Sequence, residues 1–188
     1  MPMPLISHGQ RGVTLIEVLV TIIILSIGLL GVAGLQSRLQ TSEMDAYQRA
    51  QALLLLNDMA NRISTNRNNA ASYVTGTTSP LGVGITCPTA TATRQERDAR
   101  EWCRALQGAA EISAGTSVGA MVGGRGCVES LGGGQYLVTV AWQGLTPITA
   151  PPAGAACGAN SYNGPAGSLC SSDRCRRVVT TIVRVASL

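Results

Sequence analysis

Glu17 stands five positions after Gly12, at the mouth of an apolar segment that carries no charge from Val18 to Ser37. A carboxylate at the edge of hydrocarbon costs about 2.5–3.5 kcal/mol on insertion scales, so the chemistry it calls for is ion pairing with a cationic partner. A second reactive set is formed by Cys87, Cys103, Cys127, Cys157, Cys170 and Cys175, all in the second half of the chain. An even count behind an export-type apolar segment predicts a disulfide framework made in an oxidising compartment. Free thiols or a four-cysteine zinc site are the competing readings. No C-x-x-C pair exists, the closest spacing being Cys170 to Cys175, and no metal site is assigned. Six cysteines allow fifteen full pairings. Their order favours Cys170 or Cys175 closing a loop with Cys157, with Cys87, Cys103 and Cys127 supplying the rest.

Other chemistry is excluded by what the chain lacks. His8 is the single histidine, and none of the fourteen basic residues is a lysine. Without a lysine there is no Schiff-base lysine and no P-loop lysine, and a Ser–His or Cys–His nucleophile pair has only His8 to draw on. Glu96, Asp98 and Glu101 alternate with Arg94, Arg97, Arg100 and Arg104 on one polar helix face, which reads as intrahelical ion pairing rather than paired catalytic carboxylates or a DNA patch. The expectation is a protein that is not an enzyme and takes no cofactor and no small-molecule substrate. The net charge of +4 is spread along the chain and does not form a nucleic-acid surface.

These residues need elements to position them. The 188 residues suffice for one modest domain plus an accessory segment, with few aromatics to build a core. Val18 to Ser37 in a helix spans roughly 30 Å, the thickness of a bilayer's hydrocarbon, which predicts a single transmembrane helix over 18–37. A cleaved signal peptide, with Gly31-Val32-Ala33 as the small-residue site, is a competing reading; so are a plain anchor with an incidental acid and a buried core helix. Gly28, Gly31 and Gly34 recur at intervals of three, as a surface for close helix approach or as a softened stretch of helix. The helical pattern continues to Arg67. Leu39, Ala46, Ala50, Leu53, Asn57 and Ala60 mark a seam that Leu55, Leu56, Met59 and Ile63 widen, and Arg38, Glu43, Asp45, Gln48 and Arg49 mark a polar side.

A second helix is predicted over 93–108, with Thr93 as cap, Gly108 as stop and Ala99, Trp102, Cys103 and Leu106 facing inward. Strands are predicted over 126–131, 135–142 and 177–185, the first two joined in a hairpin by Gly132-Gly133-Gly134. A Gly/Pro/Cys-rich excursion, 147–175, separates the last two.

The run Arg11-Gly12-Val13-Thr14-Leu15-Ile16-Glu17-Val18 resembles the class III signal of type IV prepilins and their relatives. The resemblance implies an α+β pilin-like fold: a long N-terminal helix, half transmembrane and half amphipathic, packed on a small antiparallel sheet head with disulfides. It implies a leader over 1–12, a helix over 13–67 and a periplasmic or extracellular head over 68–188, with the excursion similar to the disulfide-bounded loop of pilins. Gly12 and Val13 would flank the cut made by a prepilin peptidase, Val13 would be N-methylated, and Glu17 would meet the terminal amine of a neighbouring subunit. Many members carry Phe at the first mature position, where this chain has Val13.

The head segments 124–128, 135–142 and 176–182 extend the resemblance to minor pilins. The implied partners are other minor pilins, the major pilin and a tip adhesin-like protein, first at the inner membrane and then in the pilus, with twitching motility and adhesion as the processes served. Two further readings stay open: a type II secretion pseudopilin, sharing the same helix and peptidase, and a pilus-tip binding module for DNA or surfaces, using clustered Arg174, Arg176 and Arg177.

Overall fold

A computed structural model describes residues 12–109, 112–113, 116–117, 119 and 121–186. The elements are α1 (Leu15–Thr65), a 3-10 helix (Arg67–Tyr73), β1 (Leu81–Gly82), α2 (Arg94–Leu106), β2 (Ile112–Ser113), β3 (Thr116–Ser117), β4 (Arg125–Gly132), β5 (Gln135–Gln143) and β6 (Arg176–Arg184). The chain forms two compact units, one ending at Ser42 and the other beginning at Glu43. In the second unit the long N-terminal helix packs on an antiparallel sheet of order β1-β4-β5-β6, cross-linked by three disulfides, which is the pilin-like α+β fold.

α1 is shorter at both ends than the predicted 13–67. Its first turn is closed onto Thr14, and Asn66, at φ −117° and ψ 40°, leaves the helical region. The face it buries also differs from the predicted seam. Gln48, Ala52, Leu56, Met59 and Ile63 are buried, whereas Leu39 and Leu53 are exposed. Gln48, assigned to the polar side by its type, lies on the buried stripe, where its Oε1 accepts the Val122 N–H at 3.2 Å.

α2 forms where its signals place it. Thr93 accepts the Glu96 N–H at 3.1 Å while the Glu96 carboxylate accepts the Thr93 N–H at 2.9 Å, so two otherwise orphaned donors are satisfied reciprocally. Ala99, Trp102, Cys103 and Leu106 are its buried face. Trp102 joins both neighbours. Its indole N–H donates to the Leu55 carbonyl at 2.8 Å, and its ring fills the space above Gly126 of β4, where an added Cβ would overlap it. The acids of α2 pair mainly across helices instead of along their own. Arg62 of α1 reaches Asp98 at 2.8 Å, Glu101 at 2.9 Å and Asp58 at 2.9 Å, while the one pair within α2, Arg94–Asp98, is long at 3.9 Å. Burial works against the Arg62 cation, but hydrogen bonds and charges of these carboxylates more than offset it and hold the guanidinium above its ordinary pKa. Tyr73 completes the cluster by donating to Asp98 at 2.5 Å; burial first, then that carboxylate, push its pKa up.

β4 and β5 form the predicted hairpin. Gly132 pairs with Gln135, so Gly133 and Gly134 make a two-residue turn with φ of 57° and 72°. Positive φ at both central positions is the primed turn that matches strand twist, and glycine adopts it without strain. On the inner face Tyr136, Val138, Val140 and Trp142 of β5 meet α1 and α2 in one core. The outer face is covered at one end only, by the excursion, where Ala155, Cys157 and Tyr162 are buried. Arg125 lies 5.0 Å from the centre of the Tyr162 ring, a cation–π contact that holds the cover down.

Disulfides join Cys87 to Cys103, Cys127 to Cys157 and Cys170 to Cys175, with Cα–Cα distances of 5.7, 5.8 and 5.1 Å. The expected closure of Cys157 with Cys170 or Cys175 is thereby corrected. Cys127 and Thr139 are paired neighbours on the outer sheet face, and the excursion lays Cys157 on that face, nearer in space to β4 than to its own later cysteines.

Two outcomes follow from this packing. Gly126→Ala should lower unfolding free energy by about 1–3 kcal/mol through overpacking against Trp102, while Gly154→Ala, where an added Cβ meets nothing, should stay within about 0.5 kcal/mol. Denaturant titration compares the two, and equal midpoints would contradict the placement of the indole. Glu129, beyond the covered end of the outer face, has a buried Oε1 without a hydrogen-bond partner among the described residues, and burial raises its pKa above 4.5. With the folded value above the unfolded one, its ionisation destabilises the fold as pH rises past 4.5. Glu129→Gln should therefore raise Tm at pH ~7, with the gain vanishing below pH ~4 where both states are protonated; a pH-independent gain would point to another cause.

Candidate functional site

The amino-terminal segment is built around the start of α1. The Thr14 carbonyl accepts the N–H groups of Glu17 at 3.1 Å and Val18 at 3.3 Å, and the Thr14 hydroxyl accepts that of Glu17 at 3.4 Å. Thr14-x-x-Glu17 has the spelling of a capping box, with the hydroxyl half in place. Thr14 is the positioning residue that reading for charge alone missed; the signal was a threonine three residues before an acid, ahead of an apolar run. Glu17 occupies the first turn, where helix amides present their positive end and a carboxylate is favoured. Gly12 and Val13 precede the helix and are exposed, so the peptide bond between them is reachable by an enzyme. His8 and Arg11, with the rest of the expected leader before Gly12, lie outside the described residues.

The helix that follows exposes an apolar surface all round. Every residue from Val13 to Gln40 is exposed, Leu15 by 84 % and Leu30 by 73 %. By length and composition the helix can cross a membrane. The hydroxyls inside the span are already satisfied. Thr21 donates to the Val18 carbonyl at 2.8 Å and Ser26 to the Ile22 carbonyl at 2.7 Å, which lets both sit in hydrocarbon. α1 runs unbroken through Gly28, Gly31 and Gly34, and an added Cβ at any of them would meet nothing within 4 Å. The flat surface they leave is open to a second helix.

The six cysteines all belong to the second unit, each tied in a disulfide. Among the described residues no group of His, Cys, Asp and Glu could hold a metal ion. The arginine cluster does not form the exposed patch that the binding-module reading uses. Arg176 is buried, donating to the carbonyls of Ala155 and Cys157 and pairing with Asp173 at 3.2 Å, because it anchors the excursion to the sheet. Arg177 donates to the carbonyls of Thr146 and Arg174. Arg174 alone of the three has an exposed side chain.

Comparison with known families finds one feature of this geometry. A model of the prokaryotic N-terminal methylation motif matches residues 7–33. That motif is the prepilin signal of type IV pilin-like proteins, and it implies processing by a prepilin peptidase and assembly with other pilins. No curated protein and no solved structure matches the chain.

Exposure of Gly12 and Val13 ahead of the first turn leads to a direct test. Intact-mass measurement of protein from a host with a prepilin peptidase should give a chain starting at Val13 and bearing one added methyl group. Retention of residues 1–12 in such a host would sink the assignment.

Proposed function

We propose that this chain is a minor pilin of the PilV type, a structural subunit that helps initiate a type IV pilus and sits in its tip complex. In this reading residues 1–12 are a leader removed between Gly12 and Val13, Val13 is N-methylated, 13–67 form the mature helix with its span over 18–37, and 68–188 form the head. The head faces the periplasm before assembly and the cell surface after it. Partners are other minor pilins, the major pilin and a tip adhesin-like protein.

The observation that carries the reading is Glu17: one carboxylate in the first turn of a helix whose next charged residue is Arg38. A neighbouring subunit's terminal amine would pair with it inside the fibre, and each charge would offset much of the other's desolvation. The disulfide-bonded head supports a pilus over a type II secretion pseudopilus, and the burial of Arg176 weakens the DNA-binding alternative.

Glu17→Ala should insert into the membrane at least as well as the parent, since it removes an insertion cost. Its incorporation into fibres should fall at least tenfold, because an unpaired buried charge costs about 3–5 kcal/mol. Glu17→Gln keeps a polar side chain near the cap but not the charge, and should fail like the alanine variant if pairing is the role. Normal incorporation of both, by immunoblot of sheared pili, would overturn the pairing. Crosslinking and pull-down from cells then separates the systems: minor pilus subunits support the reading, and secretion pseudopilins replace it.

A further inference from the structure

The two edges of the sheet are finished differently. On the β4 side, β1 pairs with the beginning of the strand, and Thr75 and Gly76 close the next stretch by donating to the Val128 carbonyl while the Thr75 hydroxyl accepts the Val128 N–H. On the other side, β6 is the terminal strand, and among the described residues nothing pairs with its far edge from Arg177 to Arg184. Of the usual protections that strand has only its terminal arginines. It contains no proline or lysine, the sheet's register shift lies in β4, and Val178 to Val183 is an uncharged, β-branched run. Leu137 and Ile182 are paired neighbours on the uncovered part of the outer face, and Ile182 is half exposed.

Charge decides what can lie there. Arg176 is neutralised by Asp173, but Arg184 is exposed and has no ion-pair partner among the described residues. A second copy of β6 has no carboxylate to set beside Arg184, because the strand carries Arg176, Arg177 and Arg184 and no acid. Opposite charges across a strand pair stabilise it, so the edge favours a segment that brings an acid over its own copy.

We propose that the free edge of β6 docks an extended segment of a different protein, one that adds a strand with an aliphatic side chain beside Ile182 and a carboxylate beside Arg184. Main-chain hydrogen bonds supply the affinity of such strand addition, and the alternate side chains supply the choice of partner. Ile182 and Arg184 lie two residues apart on one face, so an antiparallel partner reads Glu-x-Ile or its equivalent. The surface belongs to the head and does not depend on how the amino terminus is processed.

The test uses the full chain in detergent micelles and a labelled, end-capped peptide, Ser-Glu-Thr-Ile-Thr-Val-Ser. Saturable binding is expected, with slowed deuterium exchange confined to β6 amides and loss of binding when alternate peptide amides are N-methylated. Replacing the peptide's Glu by Lys should weaken binding about fivefold, and Arg184→Glu should reverse that order; its exposed position leaves the core intact, which a thermal melt confirms. No binding by any peptide, equal binding of both peptides to both chains, or self-association through β6 that the peptide fails to displace would each overturn the proposal.

Discussion

One continuous hydrogen-bond ladder in α1 has to suit two surroundings, and the rest of the molecule is arranged around that demand. From Val18 to Ser37 the helix carries no charge, and its aliphatic side chains find no cover in the described chain. Fully burying one such side chain is worth about 1.5–3 kcal/mol, so the whole segment strongly prefers hydrocarbon to water. The ladder makes this possible, because a helix meets its own backbone needs where no water can. Beyond Gln48 the same ladder carries a narrow buried stripe at spacings of three and four, and on it the head is assembled.

The head's precision comes from polar groups placed among apolar ones. Trp102 ties α2 to a carbonyl of α1 and also forbids a side chain at residue 126, so one indole sets the spacing between two helices and a strand. Arg62 gathers carboxylates from both helices, and Tyr73 takes the remaining oxygen of Asp98. Pairing of this kind gives modest net stability but a strong preference for one register, because losing one member strands another charge. α2 can therefore slide neither along α1 nor around it without breaking several bonds at once.

What could be read from the sequence was local. Thr93 and Glu96 cap α2 because the spacing of a capping box is a property of four consecutive residues, and the glycine triplet makes its hairpin for the same reason. The pilin-like α+β fold was legible as well, through the long helix and the alternating strands that follow. The phase of the buried stripe on α1 was not: it includes Gln48, whose hydrogen-bond partner Val122 lies seventy-four residues away. Arg176 likewise looked like surface charge until the excursion wrapped its guanidinium with carbonyls. At the amino terminus the acid and the glycine stood out by type, while the capping role of Thr14 was hidden behind them.

The disulfides join neighbours in sequence: first cysteine to second, third to fourth, fifth to sixth. No loop so closed encloses or interlocks with another. A chain synthesised amino end first presents each thiol's correct partner as the next to arrive. An oxidant that simply joins successive thiols then writes the native connectivity, and little is left for an isomerase to repair. The order of the chain thus serves as the assembly instruction for the covalent frame.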